Sequence, residues 1–219
     1  VGNLTLISNA INLNGGNNSV SGTGSIAFAP LSSSASIGVG GGAGSLQLTS
    51  GLFDALANGF TNIFVGNAAG THVITLGAAT YKDPITFRAP NAGGQIVITG
   101  TQTGTGDASI TFNSPDNRLS AAVTTANQLI RFQGNTTVLP GSASINSGTG
   151  LTQFDAGLNM NGQSLTIRAN AIDFLGDAAN YAVSLFVLSM ALAWRARAAA
   201  LKAASMLLFG LFVAGRTVW

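Results

Sequence analysis

The chain has 219 residues, of which only 7% are charged; nine Lys/Arg stand against seven Asp, Glu and Cys are absent, and there is one His. No disulfide framework or thiolate metal site is open to such a chain, and its singly scattered cations exclude a groove that tracks nucleic-acid phosphates. The net charge of +2 conceals a split, because residues 1–177 hold five cations and all seven Asp, while Arg195, Arg197, Lys202 and Arg216 in residues 178–219 face no acid.

Val1 opens the chain without the basic and apolar regions of a secretory leader, so a piece of a longer protein is expected. From Leu4 onward one pattern recurs. Leu4-Thr5-Leu6, Ile11-Asn12-Leu13, Ile26-Ala27-Phe28 and Leu46-Gln47-Leu48 each flank a small or polar residue with two large apolar ones. In a strand this puts the apolar pair on one face. Gly15-Gly16-Asn17-Asn18 and Gly40-Gly41-Gly42 separate the runs, and Gly and Asn suit tight corners because they reach positive φ cheaply. Gly38 to Gly44 lacks the Lys-Ser/Thr pair of a phosphate loop and reads as a flexible loop. Ser50 to Phe60 departs from the pattern: Leu52, Phe53 and Leu56 suit either one helical turn closed by Asn58-Gly59 or a loop excursion between coils.

A beat follows. Ile63-Phe64-Val65, Ile74-Thr75-Leu76, Ile85-Thr86-Phe87 and Ile96-Val97-Ile98 begin at residues 63, 74, 85 and 96, eleven apart. Two such units make a coil of about 22 residues, the size of a repeat-architecture turn. Rungs about 4.8 Å apart would build about eight coils into a rod on the order of 40 Å long. Strands this short, with few two-residue hairpin turns, argue for an all-β parallel β-helix (β-solenoid) over a sandwich. The pattern continues through Ile110-Thr111-Phe112, Leu158-Asn159-Met160, Leu165-Thr166-Ile167 and Ile172-Asp173-Phe174.

A longer repeat is also present. Asn3 to Gly15 aligns with Ser164 to Gly176 at an offset of 161, with Leu, Thr, Asn, Ala, Ile and Gly at matching places. A module of about 160 residues is therefore expected within a solenoid domain 1–177, with a second copy starting near Ser164. Residues 178–219 change character to Ala, Leu and Met, which predicts an apolar α-helical tail. Ala178 to Trp194 is at the lower edge for a membrane span, and Ala203 to Gly215 is too short. Three readings of the tail stay open: a membrane anchor or hydrophobic hairpin, a helix capping the solenoid, or a segment foreign to the module, such as a shifted reading frame.

The chemistry in the sequence is thin. His72 has no second His, Cys or carboxylate cluster near it, so a corner or surface role is expected rather than a metal site or a triad. Tyr81-Lys82-Asp83 reads as a solvated surface pair, and Asp83-Pro84 and Pro115-Asp116 as turns. The Asp residues, at 54, 83, 107, 116, 155, 173 and 177, share no regular period. Gly104-Thr105-Gly106-Asp107 resembles a calcium nonapeptide but occurs once, whereas such sites need stacked copies. No catalytic, cofactor-binding or metal residue is expected, and no cofactor.

Asn58-Gly59-Phe60-Thr61-Asn62-Ile63-Phe64-Val65-Gly66, Ile74-Thr75-Leu76 and Tyr81-Lys82-Asp83-Pro84-Ile85-Thr86-Phe87-Arg88-Ala89-Pro90 resemble the repeat region of filamentous-haemagglutinin-like bacterial exoproteins. Ala171 to Gly176 and its counterpart Ala10 to Gly15 resemble it too. The resemblance spans about residues 3–177 and implies a right-handed parallel β-helix, secretion through an outer-membrane partner, and adhesion to host-cell or environmental surfaces. The expectation is a structural and adhesive stalk segment, secreted or on the bacterial surface, that is not an enzyme and binds no nucleic acid. The rival is a carbohydrate-active β-helix enzyme, a polysaccharide lyase or hydrolase, in which clustered Asp and a basic group would act on a glycan.

Overall fold

The computed structural model describes residues 2–168. They form an almost entirely β structure in which parallel strands stack as a β-solenoid. Each complete coil has three faces. On the first, Leu4–Ile7, Ser25–Ala29, Asn62–Val65, Ile85–Arg88, the first half of Ile110–Leu119, the first half of Ile130–Val138 and Thr152–Phe154 stack in register. The second face runs from Leu46–Leu48 through Ile37–Val39, Val73–Leu76 and Gln95–Ile98 to the second halves of the two long strands and Leu158–Asn159. Ala79–Tyr81, Gln102–Gly104, Ala122–Thr125, Ser144–Asn146 and Thr166–Arg168 make the third.

The eleven-residue beat is two of these faces in alternation. Ile63 stacks on Ile85 on the first face, and Ile74 stacks on Ile96 on the second. The coil of 22 residues therefore stands, with a third strand in each coil from Asn62 onward that the beat does not announce. Its inward positions include Ala79, Gln102 and Gly104, too small or too polar to print the apolar signature. Seven strands stack on the first face among the described residues, close to the about eight coils that the repeat length predicts.

Alternation of side chains in these strands sends one column inward. Ile26, Ile63, Ile85, Ile110 and Ile130 are essentially inaccessible, as are Phe28, Phe87, Phe112 and Phe132. Phe87, Phe112, Phe132 and Phe154 form a continuous stack with ring centroids 5.7, 4.8 and 4.9 Å apart. Those spacings approach the distance between rungs, so the rings carry the coil repeat through the core. Corners are tied by side chains that reach one coil onward. The Oδ1 atoms of Asn3, Asn9, Asn127 and Asn135 accept the backbone N–H groups of Ser25, Leu31, Thr149 and Gly157, each 22 residues later.

The stretch before Asn62 is less regular. Ile37–Val39 and Leu46–Leu48 pair in parallel through a very short connection. The expected flexible loop over Gly38 to Gly44 is instead a packed turn. A Cβ on Gly42 would strike the Thr75 carbonyl, and one on Gly44 would strike Gly38, so the glycines are needed for close backbone approach. A helix, Ser50–Ala55, then buries Leu52, Phe53 and Ala55. The expected closure at Asn58-Gly59 is not what ends it: Leu56 is already extended, and it bridges in parallel to Val20. Burial of Phe53 against Phe28 and Tyr81 holds the helix where its length alone would not.

The aligned segments of the longer repeat stand on different faces. Leu4–Ile7 stacks on Ser25–Ala29, whereas Thr166–Arg168 stacks on Ser144–Asn146 of the third face. From Leu4 to Thr152 the chain completes six coils, the one through the helix longer than the rest, and Thr166 lies two faces further on, so the offset of 161 is not a whole number of coils. The apolar tail 178–219 lies outside the described residues, and among those residues no helix is long and apolar enough to cross a membrane.

Candidate functional site

The ionisable side chains divide into those spent on holding the coils and those that face solvent. Asp83 belongs to the first group. It is fully buried, and its Oδ1 accepts the Gly59 N–H at 2.7 Å, while Oδ2 has no partner. Burial raises its pKa above the ordinary carboxylate range; the Gly59 amide opposes this, and the charge of Asp107 adds to it. Lys82 turns to the other side, where Nζ donates to Asn18 Oδ1 at 2.7 Å and to the Asp54 and Leu56 carbonyls at 3.0 Å. The expected solvated Lys82–Asp83 pair is thus replaced by two separate clamps on the excursion between Asn18 and Phe60. Both residues lie in the bend between Ala79–Tyr81 and Ile85–Arg88, where the chain turns and the two side chains part company.

Tyr81 is buried, and its hydroxyl donates to Gln102 Oε1 at 2.6 Å; burial pushes the phenol upward. Gln102 returns its amide to the Gly77 and Gly100 carbonyls at 2.5 and 2.7 Å. His72 does lie at a corner, yet it is buried rather than on the surface. Its Nδ1 lies 2.8 Å from the Ala35 carbonyl, and its Nε2 accepts the Asn67 N–H at 3.1 Å. Burial lowers its pKa despite the Ala35 carbonyl, and the two partners fix a neutral ring with its proton on Nδ1.

The outer pairs are local. Arg118 meets Asp116 at 3.1 Å, and Gln95 donates to the same carboxylate at 2.7 Å. Arg131 meets Asp155 at 2.7 Å, and this pair holds the Asp155 carboxyl below its usual range. Arg88 donates to the Gly66 carbonyl at 2.8 Å and lies over the Phe64 ring. Of the five Asp residues in the described part, Asp83 lies within reach of the charge of Asp107, Asp54 is in the helix, and Asp116 and Asp155 each pair with an arginine. No group of three His, Cys, Asp or Glu is placed to hold a metal ion among the described residues. In the core, Asn117 Oδ1 and Thr136 Oγ1 lack partners where the second-face column turns polar, one above the other.

Outward on the third face, register aligns Thr80, Thr103, Thr124, Asn146 and Arg168 in one column. Beside it run Ala122, Ser144 and Thr166. A shallow groove of about 300 Å³ is lined by Thr124, Ser144, Ile145, Asn146, Thr166 and Arg168. Of these residues only Thr166 falls in one of the runs that the sequence pattern marks. The available signal was a small or polar residue on each side of one β-branched apolar residue in Ala122-Val123-Thr124, Ser144-Ile145-Asn146 and Thr166-Ile167-Arg168, recurring every 22 residues.

No family model, curated protein or solved structure matches this chain.

Proposed function

We propose that the chain is a structural and adhesive stalk segment of a filamentous-haemagglutinin-like exoprotein, exported through an outer-membrane secretion partner and either secreted or surface-attached. The coil in this reading is right-handed, the hand that almost all crossovers between parallel strands adopt. The observation that carries the reading is the use made of polar groups. Buried or clamped Asp83, Lys82, His72 and Tyr81 serve the coil itself, while outward columns offer Thr, Ser, Asn and Gln. Such columns make individually weak contacts, and repetition along a rod makes them effective through multivalency.

The test places the full chain on beads at increasing density and measures capture by glycan-coated and cell-covered surfaces. Capture should rise more steeply than density. Incubation with the same glycans should leave them intact. Turnover that disappears when a single Asp is changed would overturn the stalk reading in favour of a carbohydrate-active enzyme.

A further inference from the structure

The cations of the described residues are not equivalent. Lys82 is held by Asn18 and two carbonyls, Arg88 by the Gly66 carbonyl, Arg118 by Asp116 and Arg131 by Asp155. Arg168 is the fifth, and among the described residues no carboxylate pairs with it. It closes the outward column Thr124, Asn146, Arg168, and neither that column nor its neighbour Ala122, Ser144, Thr166 contains an acid. These two columns bound the groove of about 300 Å³, which is at the small end of ligand sites and suits one or two sugar rings.

The lining matches one chemistry. A guanidinium offers only donors, in a planar fork that fits a carboxylate. Three hydroxyls and an amide both donate and accept, which suits the hydroxyls of a sugar ring. We propose that this groove is a subsite for a uronic-acid unit of an acidic polysaccharide, with Arg168 on the carboxylate and Thr124, Ser144, Asn146 and Thr166 on the ring hydroxyls. The proposal rests on the adhesive reading and gives it a ligand class.

Titration calorimetry of the full chain with polygalacturonate, using dextran as the neutral control, tests it. Wild type should bind polygalacturonate and not dextran. Arg168→Gln should weaken binding about tenfold or more, the loss expected of one charge-assisted hydrogen-bonded contact. Asn146→Ala should weaken it several-fold, and Arg118→Gln, on another face, should leave it unchanged. Wild-type affinity in Arg168→Gln would overturn the proposal, as would equal binding of dextran, equal loss in Arg118→Gln, or dextran sulfate bound as tightly as polygalacturonate. Bead capture that persists without polygalacturonate binding removes the groove and leaves the stalk reading; binding without bead capture does the reverse.

Discussion

Two stretches of the solenoid hold their coils by different means. From Ile85 to Phe154 the first-face strands stack in unbroken register, and a stack of four Phe rings runs through them. Before Asn62 the chain makes a tight glycine turn and a six-residue helix, and long polar side chains reach across from Lys82 and Asp83 to fasten it. Regular stacking needs little beyond apolar columns and backbone ladders. In the excursion the backbone ladder is sparser, reduced around the helix to bonds between Asn18, Val20 and residues 54–57, and side chains from the neighbouring coil add to it: Asp83 accepts the Gly59 N–H and Lys82 donates to two carbonyls. The charged residues of this sparsely charged protein therefore gather partly where the repeat fails.

The largest blow to the regular half is Phe112→Ala. It empties a site between two stacked rings and should cost about 3–5 kcal/mol in denaturant unfolding. A loss below about 1 kcal/mol would mean that the ring stack is not what unites those coils. In the irregular half, Asp83→Ala should cost about 1–3 kcal/mol, because it removes the acceptor of the Gly59 N–H and empties a buried site. Hydrogen exchange should then speed up at Gly59 and Phe60 ahead of the Phe112 coil. Asp83→Asn keeps an acceptor and removes the charge, so it is a pH test. The folded pKa of Asp83 lies above its unfolded value near 3.8. Its stabilising contribution is therefore complete below that value and is lost as pH rises through the folded pKa. Wild type should gain stability from this group on acidification toward pH 3.8, and Asp83→Asn should lack that gain. His72 works in the opposite sense: its folded pKa is lowered from 6.5, so its contribution is present above that pH and is lost as pH falls through the folded value. Lys82→Met should cost about 1–2 kcal/mol by removing charge-assisted bonds to carbonyls, with faster exchange confined to the segment around Asn18 and Leu56. Smallest is Arg118→Gln, an exposed ion pair, which should shift stability by less than about 1 kcal/mol. A larger effect would place solvent-facing charge among the supports of the regular half.

The same contrast decides what could be read from the sequence. The first and second faces were legible because Ile63, Ile74, Ile85 and Ile96 point inward as large aliphatics at fixed spacing. The third face was not, because Gln102 and Gly104 point inward there and resemble a loop. Asp83 looked exposed beside Lys82, and its burial depends on Gly59 folding back over it from 24 residues away, which no local pattern records. The groove residues were hidden for a related reason. Thr124, Asn146 and Arg168 become neighbours only through the register, and although they recur every 22 residues they carry no apolar signature to mark the beat.

The corner asparagines have a consequence for how such a chain comes into being. In all four bonds the acceptor is on the earlier coil and the amide arrives 22 residues later. At those junctions a chain that emerges from its N-terminal end displays acceptors already set for the turn to come, so the finished coil there is a template for its successor.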